Sequence, residues 1–141
     1  MTVGLPIQVG SNPLTVAITP DGARLYVANV ISNNVSVIDT AANTVVATIT
    51  GGNFPIGAAV TPDGTRLYVA NFNSNNVLVI NTAANMVVAT ITVENSPRSV
   101  AITPAPLPSN VPTLSQWGLI AMAGILGIVG FMVMRRRRVT A

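Results

Sequence analysis

Short runs of apolar residues separated by turn-forming polar ones recur along most of this chain, the signature of strands joined by turns. The first such run is Leu14–Thr19. Pro20-Asp21-Gly22 then turns the chain, because proline presets φ and glycine accepts a positive φ. Arg24–Val30 predicts a second strand, and Ser32-Asn33-Asn34 the next turn, since asparagine tolerates the left-handed region. Val35–Asp39 predicts a third strand, Ala41-Ala42-Asn43 a third turn and Thr44–Thr50 a fourth strand. Valine, isoleucine, threonine and tyrosine dominate these runs, as a pleated surface prefers. No segment ahead of the C-terminal tail sustains a helical period.

The pattern is written twice. Residues 13–54 and 55–96, laid over each other at a shift of 42, agree at 29 of 42 positions. A third copy starts at Pro97 and stops at Pro104. Pro6–Gly10, ahead of Ser11-Asn12-Pro13, resembles Thr48–Gly52 ahead of Asn53-Phe54-Pro55, and is expected to be the fourth strand of an earlier unit. A four-stranded repeat of this length is that of a propeller blade. The expected fold class is therefore all-β: two four-stranded antiparallel blades with fragments of their neighbours, over residues 1–104. Rings close with roughly four to eight blades, so two blades leave sheet faces uncovered. Uncovered faces and edges promote self-association.

After residue 104 the pattern changes. Four prolines in the nine residues 104–112 cannot continue a ladder and predict an extended linker, 105–112. Leu114–Met134 is a run of 21 uncharged residues, about 31 Å as a helix and long enough to span a hydrocarbon core. Thr113 with Gln116 forms a capping box at its start, and Trp117 suits the membrane interface. Arg135, Arg136, Arg137 and Arg138 act as a membrane stop. The positive-inside rule puts that end in the cytoplasm and the repeats on the far side of the inner membrane, with membrane lipid as a partner of the helix. The start, MTVGLPIQVG, lacks the basic and apolar regions of an export signal, so this topology expects the natural chain to begin further upstream.

Composition narrows the chemistry. The net charge of +3 invites a nucleic-acid reading. Four of the seven arginines are the run at 135–138, and the remainder carries three arginines against four acidic residues. No basic patch remains to neutralise phosphates, so no nucleic-acid partner is expected. The sequence has no histidine, lysine or cysteine, which removes the commonest general base, metal ligand and nucleophile partners. Asp21 and Asp63 occupy turns, Asp39 has Asn81 as its counterpart, and Glu94 stands alone. No catalytic residue, cofactor or metal site is expected. Arg24 and Arg66 are expected to be solvated or paired with a turn aspartate, and Tyr26 and Tyr68 to pack between blades.

Pro-Asp-Gly at 20–22 and 62–64, Tyr-Val-Ala-Asn at 26–29 and 68–71, Asn-Asn-Val at 33–35 and 75–77 and Val-Ile-Asp-Thr at 37–40 resemble the YVTN family of β-propeller repeats. The family usually has threonine where Ala28 and Ala70 stand. Val111, Pro112, Thr113, Leu114, Ser115 and Trp117, followed by the apolar run and the arginines, resemble the IPTL-CTERM sorting domain of Gram-negative bacteria over residues 111–138. The family usually begins with isoleucine rather than Val111. That resemblance implies an exosortase-like processing enzyme as partner, cleavage near the motif and passage to the cell surface. Together they imply a surface-targeted, non-catalytic binding or structural module with an unidentified surface ligand or protein. The alternatives are a fragment of a larger propeller enzyme acting on lactones or carrying a redox cofactor, with its active site elsewhere, or a decayed gene fragment.

Overall fold

A computed structural model describes residues 4–104 of the chain. The helix expected over 114–134 and the arginine stop lie outside the described residues, and among those described no helix is long and apolar enough to cross a membrane.

The first blade comprises β1 (Pro13–Ile18), β2 (Arg24–Asn29), β3 (Asn34–Asp39) and β4 (Thr44–Thr50). The second comprises β5 (Pro55–Val60), β6 (Arg66–Asn71), β7 (Asn76–Asn81) and β8 (Met86–Thr92). Each is an antiparallel meander in sequence order. The turns form as their chemistry dictates. Gly22 and Gly64 both take φ 73°, and their amides close the turn on the carbonyls of Thr19 and Thr61 at 2.8 Å. Asn33 and Asn75 sit at φ 55° and 52°, and Asn43 and Asn85 at 53°. Even the irregularities repeat: Val37 pairs with Ala47 but Ile38 with Val45, leaving Val46 as a bulge, and Val88 occupies the same place in the second blade. Such bulges sharpen the local twist.

Alternation gives each sheet two apolar faces. One carries the blade's tyrosine and the other the leucine one residue before it. The tyrosine face of the first blade packs on the leucine face of the second, so Tyr26, Val35, Val37 and Ile49 interlock with Leu67, Val69, Leu78 and Ile80. Tyr26, Val37, Leu67, Val69 and Ile80 are fully buried there. A buried Val, Leu or Ile contributes about 1.5–3 kcal/mol, so this junction holds the pair of blades together. Tyr68 lies on the opposite face of the second blade and is only half-buried.

Two expected strands are absent. Pro6–Gly10 and Pro97–Pro104 are not in strand conformation. A strand is defined by its ladder, and among the described residues neither segment has the neighbouring strand of its own blade to bond with. Residues 97–104 nonetheless stand beside β5, since a side chain at Gly57 would come within 2.8 Å of Ser99 Cα. Thr15, the counterpart of Gly57, meets the next unit the same way, its hydroxyl donating to the Ile56 carbonyl at 2.6 Å.

Candidate functional site

The Pro-Asp-Gly turns of the two blades meet around a cleft of about 290 Å³. Thr19, Pro20, Asp21, Arg24 and Tyr26 line it from the first blade, and Asp63, Gly64, Thr82 and Ala83 from the second. The repeat builds it: β1 and β5 end at these turns, and Gly64 comes so close to Pro20 that a Cβ would meet its ring at 3.3 Å.

Its carboxylates are structural. Asp21 accepts from the Thr19 hydroxyl and the Ala23 amide, which hold it below the ordinary aspartate range. Asp63 accepts from the Thr61 hydroxyl and from the amide and hydroxyl of Thr65, with the same result. A carboxylate so stabilised is a weak base at neutral pH. Burial pushes the Tyr26 hydroxyl up, so it stays protonated, and it has no protein partner within its hydrogen-bonding reach. The cleft therefore presents the fixed negative charge of two turn carboxylates and the edge of a guanidinium, with the buried Tyr26 hydroxyl beneath it.

Arg24 does not pair with Asp21 of the turn that precedes it. It pairs with Asp39, its register partner across β2 and β3. The amide of Ala42 and then Arg24 depress the Asp39 carboxyl. In the second blade the same register puts Arg66 opposite Asn81, and the Arg24–Asp39 contact is the one ion pair among the described residues. Asn81 still caps its turn, accepting from the amides of Ala83 and Ala84 as Asp39 does from Ala41 and Ala42.

The asparagines form a second repeated device. Asn33 accepts the Phe54 amide at 2.8 Å and Asn75 the Ser96 amide at 2.7 Å, each from the last residue of its own unit, just before the next one begins. Phe54 and Ser96, like Asn12, lie at positive φ. Asn71, fully buried, donates to Asn76 and accepts the amide of Asn53. Asn29, its counterpart, donates to Asn34 and Ser36, but its carbonyl oxygen is buried without a partner. The amide that would reach it belongs to Ser11 and is taken by Ser32.

Among the described residues no three acidic, histidine or cysteine side chains gather as a metal site. Neither the cleft nor the asparagine ties stood out in the sequence as sites, since the cleft and the Asn53–Asn71 bond join two copies of the repeat and the other ties join positions 21 residues apart. The doubled Pro-Asp-Gly and Asn-Asn at a spacing of 42 were the signals available. The sorting-motif residues Val111, Pro112, Thr113, Leu114, Ser115 and Trp117, and Arg135–Arg138, lie outside the described residues.

Comparison with solved structures places the described fold among β-propellers. Hydrazine synthase of Kuenenia stuttgartiensis superposes with a TM-score of 0.65 at 27% identity, over 74% of this chain and 30% of that one. The Cps50 (Swd1) β-propeller domain of Myceliophteria thermophila gives 0.59 at 13% identity, over 65% and 29%. Apo AztD from Citrobacter koseri gives 0.58 at 17%, over 66% and 26%. The chain thus spans less than a third of the length of these structures. No curated protein matches it. The IPTL-CTERM motif model matches residues 111–138. It is an exosortase-type sorting signal, and it implies a surface-targeted protein processed at its C-terminus. The model of the lactonase, 7-bladed β-propeller family matches residues 9–104, and the chain belongs to that family, as a propeller protein that carries a C-terminal sorting motif.

Proposed function

We propose that the chain is a non-catalytic binding or structural module displayed at the cell surface, with the blades as scaffold and residues 111–138 as a disposable address. The observation that carries this reading is the sorting-motif match to residues 111–138. Its Pro-Thr-Leu-Ser-Gln-Trp start stands directly before an uncharged run and four arginines. The run inserts as a single helix, the arginines hold its end in the cytoplasm, and the blades sit across the inner membrane until an exosortase-like enzyme cuts near the motif. In the cleft both carboxylates are committed to their turns, and the chain supplies no histidine, lysine or cysteine to activate a nucleophile.

The test is processing in a Gram-negative host that carries an exosortase, with the chain expressed behind an export signal. The parent yields a shortened product without the arginine tail. Pro112→Ala with Thr113→Ala blocks that shortening and leaves membrane insertion intact, because helix length and charge are unchanged. Equal processing of parent and variant removes the sorting reading.

The match over residues 9–104 favours a second reading, in which these blades belong to a lactone-hydrolysing propeller whose reacting groups lie on other blades. Lactone turnover that is absent from the purified chain alone and appears only when it is assembled with further blades of a lactonase-family propeller would replace the first reading with this one.

A further inference from the structure

The junction between the two blades is a template that the chain repeats on its outside. The tyrosine face of the first blade presents Ala17, Tyr26, Val35, Val37, Ala47 and Ile49 to its neighbour. Shifted by 42 residues, the second blade presents Ala59, Tyr68, Val77, Val79, Ala89 and Ile91, identical at all six positions. The exposures differ because one face is occupied and the other is not: Ile49 is 4% exposed and Ile91 45%.

The receiving face is repeated too. Leu67, Val69, Ile80 and Val87, which take the tyrosine face inside the chain, recur as Leu25, Val27, Ile38 and Val45 on the first blade. Ser36 replaces Leu78, while Val16 and Ile18 enlarge Ala58 and Val60. The loss of one side chain is thus offset by the growth of two. Val27 and Ile38 are already buried, and Gly10 lies against Asn29 on this face, but Ile18 is 55% exposed. Neither face carries a charged side chain among these positions.

The two segments that fail to form strands mark the places of the missing neighbours. Residues 97–104 agree with residues 13–20 at six of eight positions and stand where the first strand of a next blade belongs. Pro6–Gly10 resembles the end of β4, the last strand before a blade starts. Each is a copy of what an adjoining blade would bring.

We propose that copies of this chain mate head to tail, the Tyr68 face of one on the Leu25 face of the next, through the contact that already joins its own two blades. The place beside β5 is filled once per junction, by residues 97–104 or by the β1 of the arriving copy, and residues 4–10 give way to the end of the neighbour's β8. The contact is heterologous, so it closes into rings when the rotation permits. Two to four copies supply blade counts inside the roughly four to eight that closed propellers use. This inference is independent of the sorting reading.

The experiment uses the full chain in detergent and two variants at exposed margin positions, Ile91→Arg on one face and Ile18→Arg on the other. The parent runs as a discrete assembly. Each variant alone has lost one face and runs at the mass of one chain. Mixed, the Ile18→Arg chain still offers its Tyr68 face and the Ile91→Arg chain its Leu25 face, so differently tagged chains combine one to one and stop at two. A second pair, Ile91→Ser and Val45→Ser, keeps the test open if an arginine variant loses its β-sheet signal. A parent of single-chain mass gives these faces to further repeats or to a different protein and overturns the proposal. So do variants that keep the parent's mass, and a mixture that does not pair.

Discussion

At the scale of single residues, the duplicated sequence works as an internal experiment. Asp39 and Asn81 cap identical turns with identical pairs of backbone amides. The charge on Asp39 is therefore not needed for the turn, and what it adds is the pair with Arg24. The buried asparagines show the converse. Asn71 uses both ends of its amide, whereas Asn29 leaves one oxygen unpartnered because the segment before it runs differently. Burying a polar group that then loses its partners costs about 1–3 kcal/mol. Asn71→Ala should therefore lower stability by about that amount, measured by denaturant unfolding of the full chain. The same change should speed amide exchange at Asn53, whose acceptor it removes. Unchanged exchange at Asn53 would mean that this bond does not tie the blades' connection in solution.

At the scale of elements, the strands and turns were legible because each turn has its own chemistry. Pro-Asp-Gly, Asn-Asn and Ala-Ala-Asn place the corners to within a residue. β1 starts at Pro13 rather than Leu14, β2 stops at Asn29 rather than Val30, and β3 starts at Asn34 rather than Val35. What could not be read was whether Pro6–Gly10 and residues 97–104 would pair, since pairing depends on a partner strand and not on the segment's own pattern. Nor could the cleft be read, because Asp21 and Asp63 lie 42 positions apart and only stacking brings their turns together. The last partial unit is held by contacts of its own: Arg98 lies 5.2 Å from the centre of the Phe72 ring, which packs at 5.8 Å on Phe54. It also needs the missing side chain of Gly57, where an added Cβ would strike the backbone of Ser99 at 2.8 Å. Gly57→Thr, which installs the residue that the first blade carries at Thr15, should push residues 97–104 off β5. Trypsin should then cut after Arg98 several times faster, with cleavage after Arg24 and Arg66 unchanged. An unaltered rate at Arg98 would mean that the close approach to Gly57 does not hold the segment.

At the scale of the molecule, the described region is a two-unit stack with one internal junction. In such arrays stability is close to a sum of each unit's own folding free energy and one term per junction. A unit alone cannot bury its two apolar faces, so the junction terms decide whether the array is stable. At the junction Leu67, Val69 and Ile80 are fully buried and Ile49 is nearly so, while Val16 and Ile18 on one outer face and Ile91, the counterpart of Ile49, on the other stay exposed. Adding a unit therefore creates a second junction without adding an outer face. The sequence allows this at one position: Asn95-Ser96-Pro97 repeats the Asn53-Phe54-Pro55 connection, and Asn75 already binds the Ser96 amide as Asn33 binds that of Phe54. A further copy of residues 55–96 inserted between Ser96 and Pro97 should continue the stack, its leucine face receiving Tyr68 and its own end meeting residues 97–104. The denaturant dependence of unfolding scales with the surface exposed, so it should rise by about half for three units in place of two. The midpoint should also rise, because the inserted unit brings a junction term with it. The measurement belongs in the Ile91→Arg background, with the inserted copy left unmodified and the parent compared in the same background at matched concentration. There the charge at the new junction should cancel the gain, and moving the arginine to the equivalent position of the inserted copy should restore it. A midpoint that ignores the arginine's position would show that stacking on the tyrosine face does not hold these blades together.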